Sequence, residues 1–311
     1  MAGTLSIIGA GRVGRALGRR LRELGWKIGA VVASSESSAR KAVRSIGAGR
    51  AHAFLTRQVL AAQVILITTQ DHSVAGIAGE LARIGAEELR GKIVLHTSGA
   101  LSSDVLDPVR RCGAAVGSMH PLQTFSGVGV PPLEGRVFTI EGDVVAVRMA
   151  RQMARALGAV PVQIEGSKKP LYHAAGALAA GHALVVVESA IQLLMALGTK
   201  RSEAMRALLP MTKQVLQNYE RLGMKAAWTG PLARGDYEVV AKHLAALQDY
   251  SPEYCKAYDA LNRLAERIMP RDGEEPKELG RLPSNGTNGI QHSVPHASHP
   301  KKLRVLTGGK G

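Results

Sequence analysis

The chain has 311 residues, a length for about two domains, and its 40 lysines and arginines against 25 acidic residues give a net charge of +15. Hydrophobic residues make up 45% and aromatic residues only 4%, which excludes a wholly disordered chain and argues against a surface that stacks nucleic-acid bases. The two cysteines, Cys112 and Cys255, exclude a disulfide framework. No cysteine–histidine spacing is typical of zinc, so we predict no metal site.

Short apolar runs alternate with helical patterns through the first half of the chain. Strands are predicted at 5–8, 27–33, 63–69, 92–96, 114–119, 136–140 and 159–164. Helices are predicted between them, at 12–24, 36–46, 73–84, 102–111 and 143–157. Strand–helix repetition is typical of an α/β fold with a parallel, doubly wound sheet. We therefore predict a Rossmann-type domain over residues 1–165.

The strand signals stop after residue 165, and the chain then has a helical pattern as far as residue 270. Helices are predicted at 169–197, 202–222, 236–248 and 252–269, with Pro210 kinking the second of them. This pattern indicates an all-α C-terminal domain over residues 166–270. Residues 271–311 are rich in Gly, Pro, Ser and Asn, which predicts a disordered tail.

The first of these helices is apolar enough to raise the question of a membrane span. Its stretch 171–197 is interrupted by polar side chains that are costly at a bilayer centre, namely His173, His182, Glu188 and Gln192. We therefore predict a helix buried between protein surfaces.

The segment between the first strand and the first helix has the spacing GxGxxG. The motif is weak alone, but here it follows a strand and opens a helix, as a dinucleotide-binding turn does. The three glycines would permit the tight turn, the approach of a pyrophosphate and close helix–strand packing, and the helix N-terminus would attract phosphate. The predicted cofactor-binding residues here are Gly9, Ala10, Gly11, Arg12, Val13 and Gly14.

The end of the second strand distinguishes NADP from NAD. An NAD site normally has Asp or Glu there, whereas this chain has Ser34 and Ser35, followed by Arg40. Small hydroxyls and a cation suit a 2′-phosphate, although Ser34 or Ser35 could also simply cap the next helix. The local charge agrees, because residues 1–50 carry ten basic and two acidic residues. We predict NADP(H) as the cofactor, with Thr69 and Gln70 completing its site.

Several further residues suit proton transfer. Ser98, Gly99 and His120 follow strands that end at the same edge of the sheet, near the expected nicotinamide. Lys169 and His173 share one face at the start of the long helix, where the lysine either protonates a carbonyl or is solvated. We predict Ser98, His120, Lys169 and His173 as catalytic candidates.

A polar turn at 228–236 interrupts the helical half. Its Arg234 and Asp236 either pair with each other or offer a guanidinium to a substrate carboxylate. The predicted substrate-binding residues are therefore these two together with Ser98 and Gly99.

Five segments taken together resemble one family. They are the glycine motif, HTSGALSSDVL at 96–106, GSMHPLQTF at 117–125, KKPLYHAAG at 168–176 and TGPLARGD at 229–236. The resemblance covers about residues 4–269 and is to Rossmann-like proteins with an α-helical C-terminal domain of unknown function. These are related to ketopantoate reductase, pyrroline-5-carboxylate reductase, hydroxyisobutyrate dehydrogenase and prephenate dehydrogenase.

The resemblance implies two different proton donors. Lys169 matches the catalytic lysine of the hydroxyacid dehydrogenases, but these have Asn one turn on, where this chain has His173. Ser98 and His120 match the Ser and the His-Pro pair of prephenate dehydrogenases. Such relatives dimerise through the helical domain, and the apolar face from 174 to 187 agrees with that.

We therefore expect an enzyme, an NADP-dependent oxidoreductase acting on CH–OH or C=N groups. The resemblance makes a small 2-oxo acid the first candidate substrate, 2-dehydropantoate of pantothenate biosynthesis before others, with Lys169 or His120 supplying the proton. The alternatives are a cyclic-imine reductase, a prephenate-like dehydrogenase, or a non-catalytic NADP-binding sensor. We expect a cytoplasmic homodimer that binds neither nucleic acid nor membrane.

Overall fold

The computed structural model describes residues 3–269. Its strands form one eight-stranded sheet in the order β3-β2-β1-β4-β5-β6-β7-β8. Their bounds are β1 (Thr4–Ile8), β2 (Lys27–Val32), β3 (Arg50–His52), β4 (Val64–Ile67), β5 (Ile93–His96), β6 (Ala115–Pro121), β7 (Val137–Gly142) and β8 (Val160–Gln163). All neighbours pair in parallel except β6 and β7, which are antiparallel.

The sheet lies between two apolar cores. Alternate residues of β1 and β4 enter opposite cores, with Ile7 and Leu66 on one side and Ile8 and Ile67 on the other. The continuous apolar run VILI of β4 is fully buried, as expected for a central strand covered on both faces. The predicted doubly wound α/β fold is confirmed.

Helices connect the strands and then make up the rest of the described chain. Their bounds are α1 (Arg12–Glu23), α2 (Glu36–Ile46), α3 (Asp71–Ile84), α4 (Asp107–Arg111), α5 (Val144–Ala156), α6 (Lys169–Ala177), α7 (Ala183–Ala196), α8 (Arg201–Ala227), α9 (Pro231–Arg234), α10 (Tyr237–Tyr250) and α11 (Pro252–Ile268). Ser251 precedes Pro252 at the start of α11, as predicted.

Besides the antiparallel β7, four details differ from the sequence prediction. The short strand β3 was not predicted, because a run of three residues is too short to show the alternating pattern of a strand. The predicted continuous helix at 169–197 is interrupted by a π-helical segment, Leu178–His182. The long helix α8 is broken at Gly223, whose φ is 82°, whereas Pro210 lies inside it. The polar turn at 228–236 contains the short helix α9.

The described residues form two compact units, 3–180 and 181–269. The predicted domain boundary at 165/166 marks the end of the strands, but α6 belongs to the first unit. The physical reason is that Lys169 is fully buried and Tyr172 bonds to His120 on β6, which attaches α6 to the sheet. The predicted tail at 271–311 lies outside the described residues.

The stretch Gly166–Ala196 is long and apolar enough to cross a membrane by length and composition alone. Only 6% of its most apolar window is buried within the chain. Large side chains such as Leu178 and Leu184 are exposed on it. The expected burial between protein surfaces is therefore not provided by the described part of this chain.

Candidate functional site

The glycine turn after β1 is packed so that two of its glycines are required. A Cβ at Gly9 would collide with Thr69, and Gly9 has a φ of 83°, a region that favours glycine. A Cβ at Gly14 would collide with the Thr68 hydroxyl, which donates to the Gly9 carbonyl at 2.7 Å. Gly11 differs, because nothing lies within 3.4 Å of a Cβ placed there. The turn is therefore packed on the protein side and open at Gly11.

The surroundings of this turn fit the pyrophosphate of a dinucleotide. The first turn of α1 contains no acidic residue, and Gly11, which precedes the helix, has no side chain to cap it. The N–H groups there and the helix dipole are thus available to an anion. Thr69 Oγ1 is buried beside Gly9 without a hydrogen-bond partner among the described residues. Gln70, at the start of α3, is exposed at the same strand end.

The predicted 2′-phosphate residues lie at the start of α2. Ser35 caps this helix, because its hydroxyl accepts from Ser38 N at 3.2 Å, while Ser34 is exposed. Arg40 pairs with Glu36 one turn away, and both side chains are exposed. A phosphate bound here would therefore compete with Glu36 for the guanidinium.

Ser98 shapes the loop after β5. Its hydroxyl donates to Asp71 Oδ2 at 2.8 Å and accepts from Ala100 N at 3.1 Å and Leu101 N at 3.0 Å. Its backbone N donates to Nδ1 of the buried His96. Each polar group of Ser98 thus has a partner that holds the loop in place.

Lys169 is fully buried beneath this loop. Its Nζ donates to Ser98 O at 2.9 Å and to Ser118 Oγ at 2.6 Å, and it lies 3.8 Å from Glu141 Oε1. Burial lowers the pKa of Lys169 to about 8, opposed by the carboxylates of Glu141 and Asp71. The lysine is not solvated, and its ammonium has no exposed surface to offer a substrate.

The carboxylate that faces Lys169 is itself held by hydrogen bonds. Glu141 accepts from Ser103 N and Ser103 Oγ, both at 2.8 Å. Ser118 on β6 is in register with His96 on β5 and with Glu141 on β7. Residues in register point to the same face of a sheet. A row of buried polar side chains therefore crosses three strands, with Lys169 bonded to it.

His120 stands two residues beyond Ser118 on β6, on the same face and closer to the end of the strand. Its Nδ1 lies 2.8 Å from the Tyr172 hydroxyl, and the ring of His173 meets its ring edge-on at a centroid distance of 5.8 Å. A Cβ at Gly99 would lie 2.5 Å from His173 and 2.9 Å from His120 Nε2, so a side chain there would displace both imidazole rings. Burial, with the charges of Lys169 and His173, lowers the pKa of His120 to about 4, so this imidazole is neutral at pH 7.

Tyr172 was not predicted as a site residue. The spacing i, i+4 selected Lys169 and His173, but Tyr172, at i+3 from the lysine, lies on the same helix face. This spacing and its position in the KKPLYHAAG segment are the sequence signals that could have identified it.

Arg234 and Asp236 belong to the second compact unit. The guanidinium of Arg234 pairs with the Asp236 carboxylate at 2.9 to 3.0 Å, and both residues are exposed. Of the two alternatives, their mutual pairing is the one present. No group of His, Cys, Asp and Glu that could hold a metal occurs among residues 3–269.

Two family models match the chain. Residues 3–121 match the Rossmann-like domain and residues 136–265 match DUF2520, a domain of unknown function. The DUF2520 match begins beside β7 and so includes Glu141, Lys169 and Tyr172, whereas Ser98 and His120 lie in the Rossmann-like match. The candidate site is therefore built from both matched segments.

Solved structures share this fold at low sequence identity. A protein of Bacteroides fragilis assigned as an NADP oxidoreductase has a TM-score of 0.67 at 23% identity, covering 85% of this chain and 97% of its own. A reductive aminase of Aspergillus terreus, in complex with NADPH and ethyl levulinate, has a TM-score of 0.64 at 15% identity, covering 86% and 94%. A pyrroline-5-carboxylate reductase of Coxiella burnetii has a TM-score of 0.56 at 14% identity, covering 85% and 98%. No curated protein matches the chain by sequence.

We predict that Lys169→Met lowers the free energy of unfolding by about 3–5 kcal/mol, because it leaves the buried Glu141 carboxylate without a cation. The adjacent Lys168, which is exposed and pairs with Glu165, is the matched control, and Lys168→Met should change stability by no more than about 0.5 kcal/mol. Urea denaturation of both variants measures the difference. Adding Glu141→Gln to Lys169→Met should recover part of the lost stability. Equal small effects of the two lysine substitutions would contradict a stabilising buried pair of Lys169 and Glu141.

Proposed function

We propose that the protein is an NADPH-dependent reductase of a small carbonyl or imine compound. The observation that carries the proposal is the position of two groups at one edge of the sheet. The glycine turn follows β1, Gly99 follows β5, and His120 lies in the last two residues of β6. The order β1-β4-β5-β6 separates β1 from β6 by three strand spacings, or about 14 Å, a distance that an extended dinucleotide spans.

Two features favour NADPH over NADH: the charge at the end of β2 and the cofactors named for the fold neighbours. The end of β2 offers serines and Arg40 where an NAD site would have a carboxylate. The fold neighbours include a protein assigned as an NADP oxidoreductase and a reductive aminase in complex with NADPH. Both considerations favour a phosphorylated dinucleotide.

The cofactor supplies a hydride, and the protein's own groups bind, orient and provide the proton. The N-terminus of α1 would hold the phosphates, with Thr69 and Gln70 beside them. Lys169 holds the Ser98–Gly99 loop against β6, and the packing of Gly99 keeps His120 and His173 together. Because Lys169 is buried, a substrate at the strand ends could reach His120 and its hydrogen-bond partner Tyr172 but not the lysine.

Two substrates are candidates. The sequence resemblance favours a 2-oxo acid, 2-dehydropantoate first. A cyclic imine such as pyrroline-5-carboxylate is favoured by the fold neighbours, which include imine reductases and a pyrroline-5-carboxylate reductase. The hydrogen-bonded pair of His120 and Tyr172 suits both reactions, since each reduction needs one hydride and one proton.

We predict turnover of NADPH, followed by its absorbance, with a panel containing 2-dehydropantoate, other 2-oxo acids, pyrroline-5-carboxylate and prephenate with NADP⁺. The expected result is a preference for one of the first two substrate classes over the others. NADPH binding without turnover of any compound would contradict the proposal and favour a non-catalytic sensor.

We predict that Arg40→Ala weakens NADPH binding by about 1.5–3 kcal/mol, or about 10- to 100-fold, and leaves NADH binding nearly unchanged. Glu36→Gln should strengthen NADPH binding, because it frees Arg40 and removes a negative charge near the phosphate. Isothermal titration of both cofactors measures these effects. Arg44→Ala, one turn further along α2 and exposed, is the matched control. An equal loss for all arginine variants, or for both cofactors, would contradict a direct contact.

We further propose a cytoplasmic homodimer that joins through the exposed apolar face at 174–187. Leu184 and Val185 are 68% and 61% exposed, and a second copy of the chain would bury them. Sedimentation should detect a dimer that Leu184→Glu dissociates. Val128→Glu, at an 88% exposed position on a loop of the first unit, should leave it intact. A monomeric wild type, or one that partitions into lipid vesicles, would overturn this proposal.

A further inference from the structure

Tyr172 and His120 form a hydrogen-bonded pair in front of the buried Lys169. The phenol oxygen lies 2.8 Å from His120 Nδ1, and the two rings meet edge-on at a centroid distance of 5.5 Å. The titratable groups around the pair are His173 beside it and Lys169 and His96 behind it, with the Glu141 and Asp71 carboxylates beyond the lysine. Tyr172 is half-buried, so part of its side chain remains accessible from outside the site.

We propose that Tyr172 donates the proton in the reduction and that His120, with its own proton on Nδ1, hydrogen-bonds the phenol oxygen and orients it. This inference rests on the proposed reductase activity and assigns a further catalytic residue to it. Tyr172 would touch the substrate, whereas His120 and Lys169 would act as positioning residues.

The step balances in protons and electrons. Bound NADPH would supply a hydride to the carbon of the C=O or C=N bond, and the electron pair of that bond would move to the oxygen or nitrogen. The O–H bond of Tyr172 then breaks, and its proton joins that atom. The phenolate accepts a hydrogen bond from His120 Nδ1–H and regains a proton from water.

The neighbouring groups are less suited to the same step. Lys169 has its amine bonded to Ser98 O and Ser118 Oγ and is fully buried. The pKa of His120 is lowered to about 4, so almost none of it is imidazolium at neutral pH. Burial raises the pKa of Tyr172 above its ordinary value of 10.0, so the phenol stays protonated over the whole physiological range.

The pH profile of single-turnover NADPH oxidation separates Tyr172 from His120 as the donor. A protonated donor is lost as the pH rises through its pKa. With Tyr172 as donor and the Lys169 ammonium holding the loop, we expect a constant rate from pH 5 to pH 7. Donation by the His120 imidazolium would instead make the rate fall tenfold per pH unit above about 4, which would overturn the proposal. A fall above about pH 8 follows the loss of the Lys169 ammonium, and Lys169 is the donor only if the Tyr172→Phe enzyme is as fast as wild type and shows the same fall, which would also overturn the proposal.

Substitution tests the same assignment with a control inside the chain. Tyr172→Phe should lower the single-turnover rate by about 100-fold or more while the Kd for NADPH stays within twofold. His243 and Tyr258 form a second bonded pair, 2.9 Å apart and exposed in the other compact unit, so Tyr258→Phe removes an equivalent hydroxyl and should leave the rate and the Kd unchanged.

His120→Asn keeps an N–H donor near the Nδ1 position and should retain more activity than His120→Leu. A Tyr172→Phe enzyme as fast as wild type would exclude the tyrosine as donor.

A readout on the protein without cofactor makes the inference independent of turnover. Nitrogen-15 NMR of the histidines should show His120 as the neutral Nδ1–H tautomer, with a resonance that moves in Tyr172→Phe and not in Tyr258→Phe. The Nε2–H tautomer would overturn the proposal, because the phenol would then donate to Nδ1 and not to a substrate. If the tautomer is as expected and no compound in the panel is reduced, the proposed function fails while the pair itself is established.

Discussion

The buried ammonium of Lys169 is the interaction on which the candidate site depends. It joins the loop after β5, the middle of β6 and the Glu141 side chain of β7 at one point. Removing an ammonium from water costs several kcal/mol, and the cost is offset only where partners surround it. Here a carbonyl, a hydroxyl and a carboxylate do so, and Ser103 in turn holds the carboxylate. The start of α6 is thereby fixed to the sheet.

This internal cation also affects the chemistry at the surface of the site. His120 lies on the same face of β6 as Ser118, which bonds the lysine, and the nearby positive charge adds to burial in keeping the imidazole neutral. A neutral histidine can hold a phenol in one orientation without competing for the proton. The candidate site thus separates a charged layer inside the protein from an uncharged pair, His120 and Tyr172, nearer the protein surface.

Much of this arrangement follows from local sequence patterns, and some of it does not. The alternation of strands and helices and the context of Gly9 and Gly14 are short-range features, and the structure has them where the patterns predict. The antiparallel β7 is different, because a strand's direction relative to its neighbour depends on how the chain returns to the sheet. The compact units divide at 180/181 and not at 165 for a long-range reason, since the bonds of Lys169 and Tyr172 to distant strands attach α6 to the first unit.

The sequence by itself determined the fold class, the glycine turn and the set of residue types at the strand ends, because these depend on periodicity and on spacing along the chain. Only the tertiary structure decided what each polar group does. In the folded chain the polar groups of Ser98 and Lys169 are hydrogen-bonded to other protein groups. Tyr172 is bonded to His120 although 52 residues separate the two along the chain. A side chain's burial and bonding partners come from distant segments, so spacing alone could nominate Lys169 but could not place it inside the protein.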